Sequence, residues 1–216
     1  MSYSVVFTTW TFDEERRNVA DKCWRALRNT SQGQLVVVEN GSPDEWRLSY
    51  PGADVHVGTK VNRGYAWAVA RGLEEAKGEF VAVVSNDVEI LTAGWQRLLS
   101  KPGTVCSPVD TYRNGRERRY RGSFHSPMWQ APRSLIAAVG WDEEWGNAAD
   151  LDFAARAFLA GWSLERFNNV RVRHVDAHAS FRRGYETGEQ PGSMRAKWRR
   201  LYGVKGGFAS FEKKYG

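Results

Sequence analysis

Residues 62–90 read NRGYAWAVARGLEEAKGEFVAVVSNDVEI. The opening Asn-Arg-Gly is a loop signature. Ala66, Trp67, Ala70 and Leu73 then recur at helical spacing until Gly78 stops the helix. Phe80 to Val84 is a short run of β-branched and aromatic residues, dense enough for a strand buried on both faces. Directly behind it stand Ser85, Asn86 and Asp87. Ligands of open parallel sheets bind beyond the carboxyl ends of the strands, so Asp87 is a candidate for metal or substrate contact. The same position equally suits a turn or a helix cap.

Upstream, the chain repeats this pattern. Tyr3 to Thr9 is a strand ending in Thr8-Thr9-Trp10. Thr11 and Glu14 have capping-box spacing for a helix that buries Val19, Cys23, Trp24 and Leu27, closed by Gln32-Gly33. Leu35 to Val38 is a second buried strand, and it too runs into polar residues, beginning with Glu39 and Asn40. Asp54 to Val57 is a brief third strand. Alternation of strand and helix with short connections predicts a right-handed parallel βαβ sheet. Three strands thus deliver polar groups to one edge: Thr8 and Thr9, Glu39 and Asn40, and Asp87.

Downstream, Gly94 to Leu99 suggests a short helix and Val105 to Val109 a strand. The basic stretch TYRNGRERRYR (111–121) reads as a solvated loop or as a grip for a phosphate or an acidic acceptor. Pro127 to Gln130 suggests another strand, and Pro132 suits the first position of a helix ending near Gly140. In GWDEEWGNAADLDFAARAFLAGW (140–162), Leu151, Ala155, Phe158 and Leu159 form the apolar stripe of a helix. Asp150 and Asp152 sit in its first turn, where acids favour the helix dipole. Asp142, Glu143 and Glu144 crowd the preceding loop, and such charge serves cations, protons or hydroxyls. Trp141 and Trp145 beside them suit either an apolar shelf or the core. Ser163 to Val175 is further strand, with His174 and His178 at its end.

At 216 residues, with two distant cysteines and no apolar run near the roughly 18 residues that span a bilayer, one reduced, cytoplasmic domain is expected. The N-terminus carries no signal-peptide pattern. The net charge of +6 favours an anionic ligand or partner, and ten tryptophans with eight tyrosines supply both core and stacking surfaces for sugars or bases.

Five segments in order resemble the inverting, GT-A fold glycosyltransferases of family 2. VVFTTW resembles that family's first strand, and VVVENGSPD its VVDNGSTD. Residues 62–90 resemble its N-x-G helix followed by Asp-x-Asp. Residues 140–162 resemble its GxFDE…EDxD…R element, and RHVDAHAS (173–180) its closing His element. The resemblance implies a Rossmann-like α/β nucleotide-diphospho-sugar transferase fold, with a mostly parallel central sheet flanked by helices. Residues 1–180 would form the catalytic domain, with a nucleotide-binding half to about 90 and an acceptor half beyond. Residues 181–216 would be a basic extension packed on it.

By the same resemblance, the donor site takes Thr8, Thr9, Trp10, Glu39, Asn40, Asn62, Arg63, Gly64, Asn86 and Asp87. Glu39 recognises base or ribose, and Arg63 reaches the diphosphate. Asp87 with His174 or His178 holds Mn²⁺ or Mg²⁺. Asp150 is the general base toward the acceptor hydroxyl, with Asp152 in reserve, and Trp141 and Trp145 face the acceptor. The chain departs from the pattern at Ser85, where the family has the first Asp of Asp-x-Asp, at Thr8 for Pro and at Ala149 for Glu. Fewer carboxylates hold a hard cation less tightly. The acceptor is a glycan, lipid or protein. Alternatively it is a hydroxylated base in DNA, as for phage-type members, which the basic charge and segments 111–121 and 195–214 favour. A sugar-nucleotide-binding module without catalysis is the third reading.

Overall fold

In a computed structural model of the protein, which describes residues 1–111, 117, 124, 127–175, 200–203 and 208–215, the apolar runs become the strands of one sheet. β1 (Tyr3–Thr9), β2 (Gln34–Asn40), β3 (Val55–Thr59) and β4 (Phe80–Ser85) are all parallel to their neighbours. Between them run α1 (Glu14–Thr30) and α2 (Tyr65–Glu75). Successive side chains of β1 point to opposite faces. Val5 and Phe7 meet Cys23, Trp24 and Leu27 of α1, whereas Val6 meets Ala66 and Val69 of α2. Each such side chain, fully buried, contributes about 1.5–3 kcal/mol.

The second half continues the sheet with mixed polarity. It comprises β5 (Val88–Ile90), α3 (Trp95–Leu98), β6 (Thr104–Asp110), β7 (Met128–Pro132) and α4 (Arg133–Val139). A 3₁₀ turn (Glu143–Ala148), α5 (Ala149–Leu159), β8 (Ser163–His174) and a C-terminal α6 (Phe208–Tyr215) follow. Among the described residues the strand order is β3-β2-β1-β4-β7-β6-β8-β5, with β7 antiparallel to both of its neighbours and β5 antiparallel to β8. The expected parallel pairing therefore covers the first four strands and β6 with β8. Most of the basic stretch 111–121 lies outside the described residues, as do His178 and residues 176–199.

Local chemistry departs from expectation at the start of α1. Its N-cap is Asp13, whose carboxylate accepts from the Arg16 amide at 2.8 Å. Thr11 is instead buried, donating to the Trp46 carbonyl at 2.6 Å and taking the Ser42 hydroxyl as partner for its own amide at 2.8 Å. A side chain committed to a distant loop cannot also cap the helix beside it.

Register sets the site. Thr8 lies opposite Val38 of β2 and Ser85 of β4, and Thr9 opposite Glu39, so the carboxyl ends of three strands stop level. At the sheet's far edge Val88 pairs with His174, and the Val175 amide donates to the Asp87 carbonyl at 2.8 Å. Helix α2 lies against β1 with no room to spare. A Cβ on Gly72 would stand 2.1 Å from Cγ1 of Val6. Gly72→Ala gains about 1 kcal/mol of helix propensity but forces overpacking that costs about 1–3 kcal/mol. A net loss of stability is expected in urea unfolding, and a rise would show that the helix can back away from the sheet.

Candidate active site

The first cluster of polar groups is built where β2 ends. Glu39 is buried, and its Oε1 accepts from the Ser42 amide at 2.9 Å, while Oε2 is buried with no partner. A buried carboxylate oxygen without a donor is costly, so this atom is available to an incoming N–H or O–H. Asn40 next to it holds the Asn62–Gly64 loop. Its amide nitrogen donates to Asn62 Oδ1 (2.9 Å) and the Gly64 carbonyl (3.0 Å), and its Oδ1 accepts from the Arg63 amide (3.0 Å). Asn62 Oδ1 also accepts from the Gly64 amide at 2.8 Å. Gly64 caps α2 at φ 88°, a left-handed conformation that glycine tolerates without strain. Asn40 and Asn62 thus spend these groups on the loop, which leaves Arg63 exposed above the Trp67 ring, 5.6 Å from its centroid.

At the end of β1, the Thr9 hydroxyl shares a 2.7 Å hydrogen bond with the Tyr50 hydroxyl. The amide of Asn86 donates to the Trp10 carbonyl at 3.2 Å, tying the turn after β4 to the end of β1. Tyr50 itself is buried, which pushes its phenol well above the ordinary range.

Asp87 and His174 meet directly. Asp87 Oδ2 and His174 Nε2 share a hydrogen bond of 2.8 Å, both side chains about one-fifth exposed. The backbone of His174 is fixed from below, where its amide donates to Oδ1 of buried Asp110 at 2.9 Å. A carboxylate oxygen and an imidazole nitrogen brought to one point form a donor pair that suits a Mn²⁺- or Mg²⁺-like ion. Among the described residues no third His, Cys, Asp or Glu joins them. Glu89, two residues on, pairs instead with Arg173 (2.8 Å) and Lys22 (3.0 Å), bracing α1, β5 and β8 around the pair.

The two aspartates of α5 part company. Asp150 is buried at the helix start, with Oδ1 accepting from the Leu151 amide at 2.8 Å. Asp152, also buried, has both oxygens engaged: Oδ2 accepts from Arg156 Nε at 2.7 Å and Oδ1 from the Tyr202 hydroxyl at 2.6 Å. Both oxygens of Asp152 are thus held by a cationic or hydroxyl donor within the fold. The acidic loop before the helix is likewise committed. Asp142 accepts from the Glu144 amide at 2.9 Å, and Glu143 pairs with Arg71 at 2.6 Å. Trp145 is buried and stacked on Tyr202, so it offers a ligand no face. Trp141 is half-buried, its indole N–H donating to the Ala66 carbonyl at 2.9 Å.

One residue that the sequence gave no reason to single out connects the two halves. Tyr65 opens α2, its hydroxyl buried beside the Trp129 indole. Burial pushes that hydroxyl's pKa well up, and the charges of Asp150 and, more weakly, Asp87 act on it in the same direction. The charges of Asp150 and Asp87 thus both reach the hydroxyl at the start of α2, the helix whose preceding loop Asn40 anchors. Both cysteines are buried and free, and burial drives the Cys106 thiol up to about 12, which removes it as a nucleophile.

The sequence matches the description "Glycosyl transferase family 2" over residues 9–156. Among solved structures, the chain is similar to the mannosyltransferase PcManGT from Pyrobaculum calidifontis in complex with GDP-Man and Mn²⁺. That pair has 17% identity and a TM-score of 0.64, covering 83% of this chain and 58% of that one. It is also similar to S. aureus TarS, at 15% identity and a TM-score of 0.62 over 93% of this chain and 43% of that one. S. aureus TarS 1–349 in complex with UDP gives 15% identity and a TM-score of 0.62, over 94% of this chain and 72% of that one. At these identities the likeness is one of fold, and the chain spans little more than half the length of the mannosyltransferase. No curated protein sequence gives a significant match.

The Asp152 network yields a stability prediction. Breaking a buried ion pair costs about 3–5 kcal/mol, and Arg156 keeps 31% of its side chain exposed, which puts Asp152→Ala near the low end at about 3 kcal/mol. Urea unfolding checks this; a loss below about 1 kcal/mol would show that the pair is as weak as a surface one.

Proposed function

The chain belongs to glycosyl transferase family 2, and from that premise we propose that it moves a sugar from a nucleoside-diphosphate donor to an acceptor hydroxyl with inversion. What carries the reading is the arrangement about the start of α2. Glu39 keeps an unpaired buried oxygen at the end of β2, Asp87 pairs with His174, and the charges of Asp150 and Asp87 both act on the Tyr65 hydroxyl that opens α2. The GDP-Man and Mn²⁺ of the Pyrobaculum relative and the UDP-GlcNAc of S. aureus TarS 1–349 support a nucleotide sugar as donor.

In this reading Glu39 Oε2 accepts a hydrogen bond from the nucleoside, since Oε1 is already held by the Ser42 amide. The guanidinium of Arg63, on a loop fixed by Asn40, faces the diphosphate. Asp87 and His174 would hold a divalent cation, which would supply Lewis-acid neutralisation of the charge on the departing diphosphate. Asp150 takes the proton from the acceptor hydroxyl as its oxygen attacks the anomeric carbon. The bond from that carbon to the phosphate oxygen breaks on the opposite face, and the nucleoside diphosphate leaves with the electron pair. Inversion follows because attack and departure lie in line. Asp152, saturated by Arg156 and Tyr202, takes no part in proton transfer.

Two substitutions separate these roles. Asp150→Asn should keep nucleotide affinity and lose transfer by about 10²-fold or more, the scale of a general base. Turnover within a few-fold of the parent would remove Asp150 from that role, and NMR of the product anomer checks inversion. Glu39→Ala should weaken binding of the nucleoside diphosphate about tenfold, the equivalent of one charged hydrogen bond. Equal affinities by calorimetry would place the nucleoside elsewhere.

A further inference from the structure

Tyr202 lies beyond the matched residues 9–156, in the basic, glycine-rich extension expected to pack on the catalytic domain. Its hydroxyl donates to Asp152 Oδ1 at 2.6 Å, and its ring stacks on Trp145 at 6.1 Å and stands edge-on to Phe211 at 5.3 Å. Its carbonyl accepts from the Tyr215 hydroxyl at 3.0 Å and from Lys214 Nζ at 3.2 Å, both on α6. Phe211 is itself fully buried and packs against Phe158 of α5. The segment is therefore anchored, not draped.

Asp152 is the point where this anchor meets the site. Its second oxygen accepts from Arg156 Nε, and Arg156 Nη1 donates to the carbonyls of Val139 (2.5 Å) and Gly140 (3.1 Å) at the end of α4. One buried carboxylate thus joins α4, the first turn of α5 and the C-terminal segment. Asp150 occupies that same first turn. Whatever fixes the roll and position of the turn fixes the carboxylate of Asp150.

We propose that Tyr202 is a positioning residue for Asp150: through its hydrogen bond to Asp152, the C-terminal segment holds the first turn of α5 where Asp150 meets the acceptor hydroxyl. The proposal rests on Asp150 being the general base. It assigns the end of the chain to the chemical step, where the sequence pattern favoured acceptor capture. Transfer rates are sensitive to displacement, with a 1 Å misplacement worth about 10²-fold, so a partial loosening shows in kcat before it shows in binding.

The test is Tyr202→Phe, which keeps both ring contacts and deletes the bond to Asp152. Steady-state transfer is measured well below the unfolding midpoint of the variant, with nucleotide affinity by calorimetry and Asp150→Asn in parallel. A kcat lowered about tenfold with donor KM and nucleotide affinity unchanged is the expected result, within the range for misplaced catalytic groups. On the Asp150→Asn background the same substitution should cost almost nothing, since both act on one step. Unchanged kcat with a lower melting temperature would make Tyr202 a fold staple only and overturn the proposal, as would a full tenfold loss on the Asp150→Asn background. Should Asp150→Asn itself retain turnover, the base assignment fails first and the proposal falls with it. If Tyr202→Phe does not fold, Tyr215→Phe releases the same segment from its exposed side. It should then lower kcat on the order of twofold to threefold, as for one weak hydrogen bond, and an unchanged kcat there overturns the proposal.

Discussion

Register between β1 and its two parallel neighbours is the constraint on which the rest depends. Thr8 stands opposite both Val38 and Ser85, and Thr9 opposite Glu39. A slip of one residue would exchange the faces of every side chain in β1. The two faces are not interchangeable. Phe7 fits among Trp24 and Tyr50, with ring centroids 5.4 and 6.0 Å away, while Val6 sits under the bare Cα of Gly72. Size complementarity on opposite sides of one strand therefore fixes where three strands end. Those ends carry the polar groups of the site.

Holding polar groups at buried strand ends has a cost that the loops offset. Thr9, Thr11, Glu39, Asn40 and Ser42 are all buried; Thr9, Thr11, Asn40 and Ser42 each bond across to another loop or turn, and Glu39 accepts from the Ser42 amide within its own. An unpaired hydroxyl or amide there would cost about 1–3 kcal/mol, so the network is close to obligatory. Against that background the single unpaired oxygen of Glu39 stands out as a vacancy in hydrogen bonding that packing alone does not explain. Asn40 shows the converse. Its donors and acceptor are spent on residues 62–64, and its contribution to any ligand passes through the loop it shapes.

The first four strands and both long helices were legible because their information is local. Continuous β-branched runs, glycine stops and helical spacing need no knowledge of distant partners, and the polar residues after β1, β2 and β4 follow from where those runs end. The pairing of Asp87 with His174 was foreshadowed only by the resemblance, since 87 residues separate them. What could not be read was tertiary. Thr11 has the spacing of a cap, but a buried serine from another loop claims it. β7 inserts between β4 and β6 by antiparallel pairings that no periodicity encodes. Asp150 and Asp152 are equivalent as first-turn acids in the sequence, and the bond from Tyr202 to Asp152 is tertiary. Trp145 and Trp141 share composition and neighbourhood, yet one is sealed under Tyr202 and the other stays half-open. Tyr202 itself sits in the extension expected to pack on the domain, but nothing in the sequence pointed to Asp152 as its partner.

The substitution of Ser85 for the first acid of Asp-x-Asp has a thermodynamic corollary. If Asp87 and His174 hold a cation as proposed, the described residues supply two ligands where six or more oxygens are usual for hard divalent ions. Water and the donor's own phosphates would supply further ligands. Cation and donor then bind with a shared free energy, and by linkage each tightens the other by the same factor. Before either arrives, the direct 2.8 Å bond keeps the Asp87 carboxylate from standing unpaired while about four-fifths buried. On that reading the Asp87–His174 bond compensates the carboxylate by itself, and the diphosphate would bring the charge that favours a cation there.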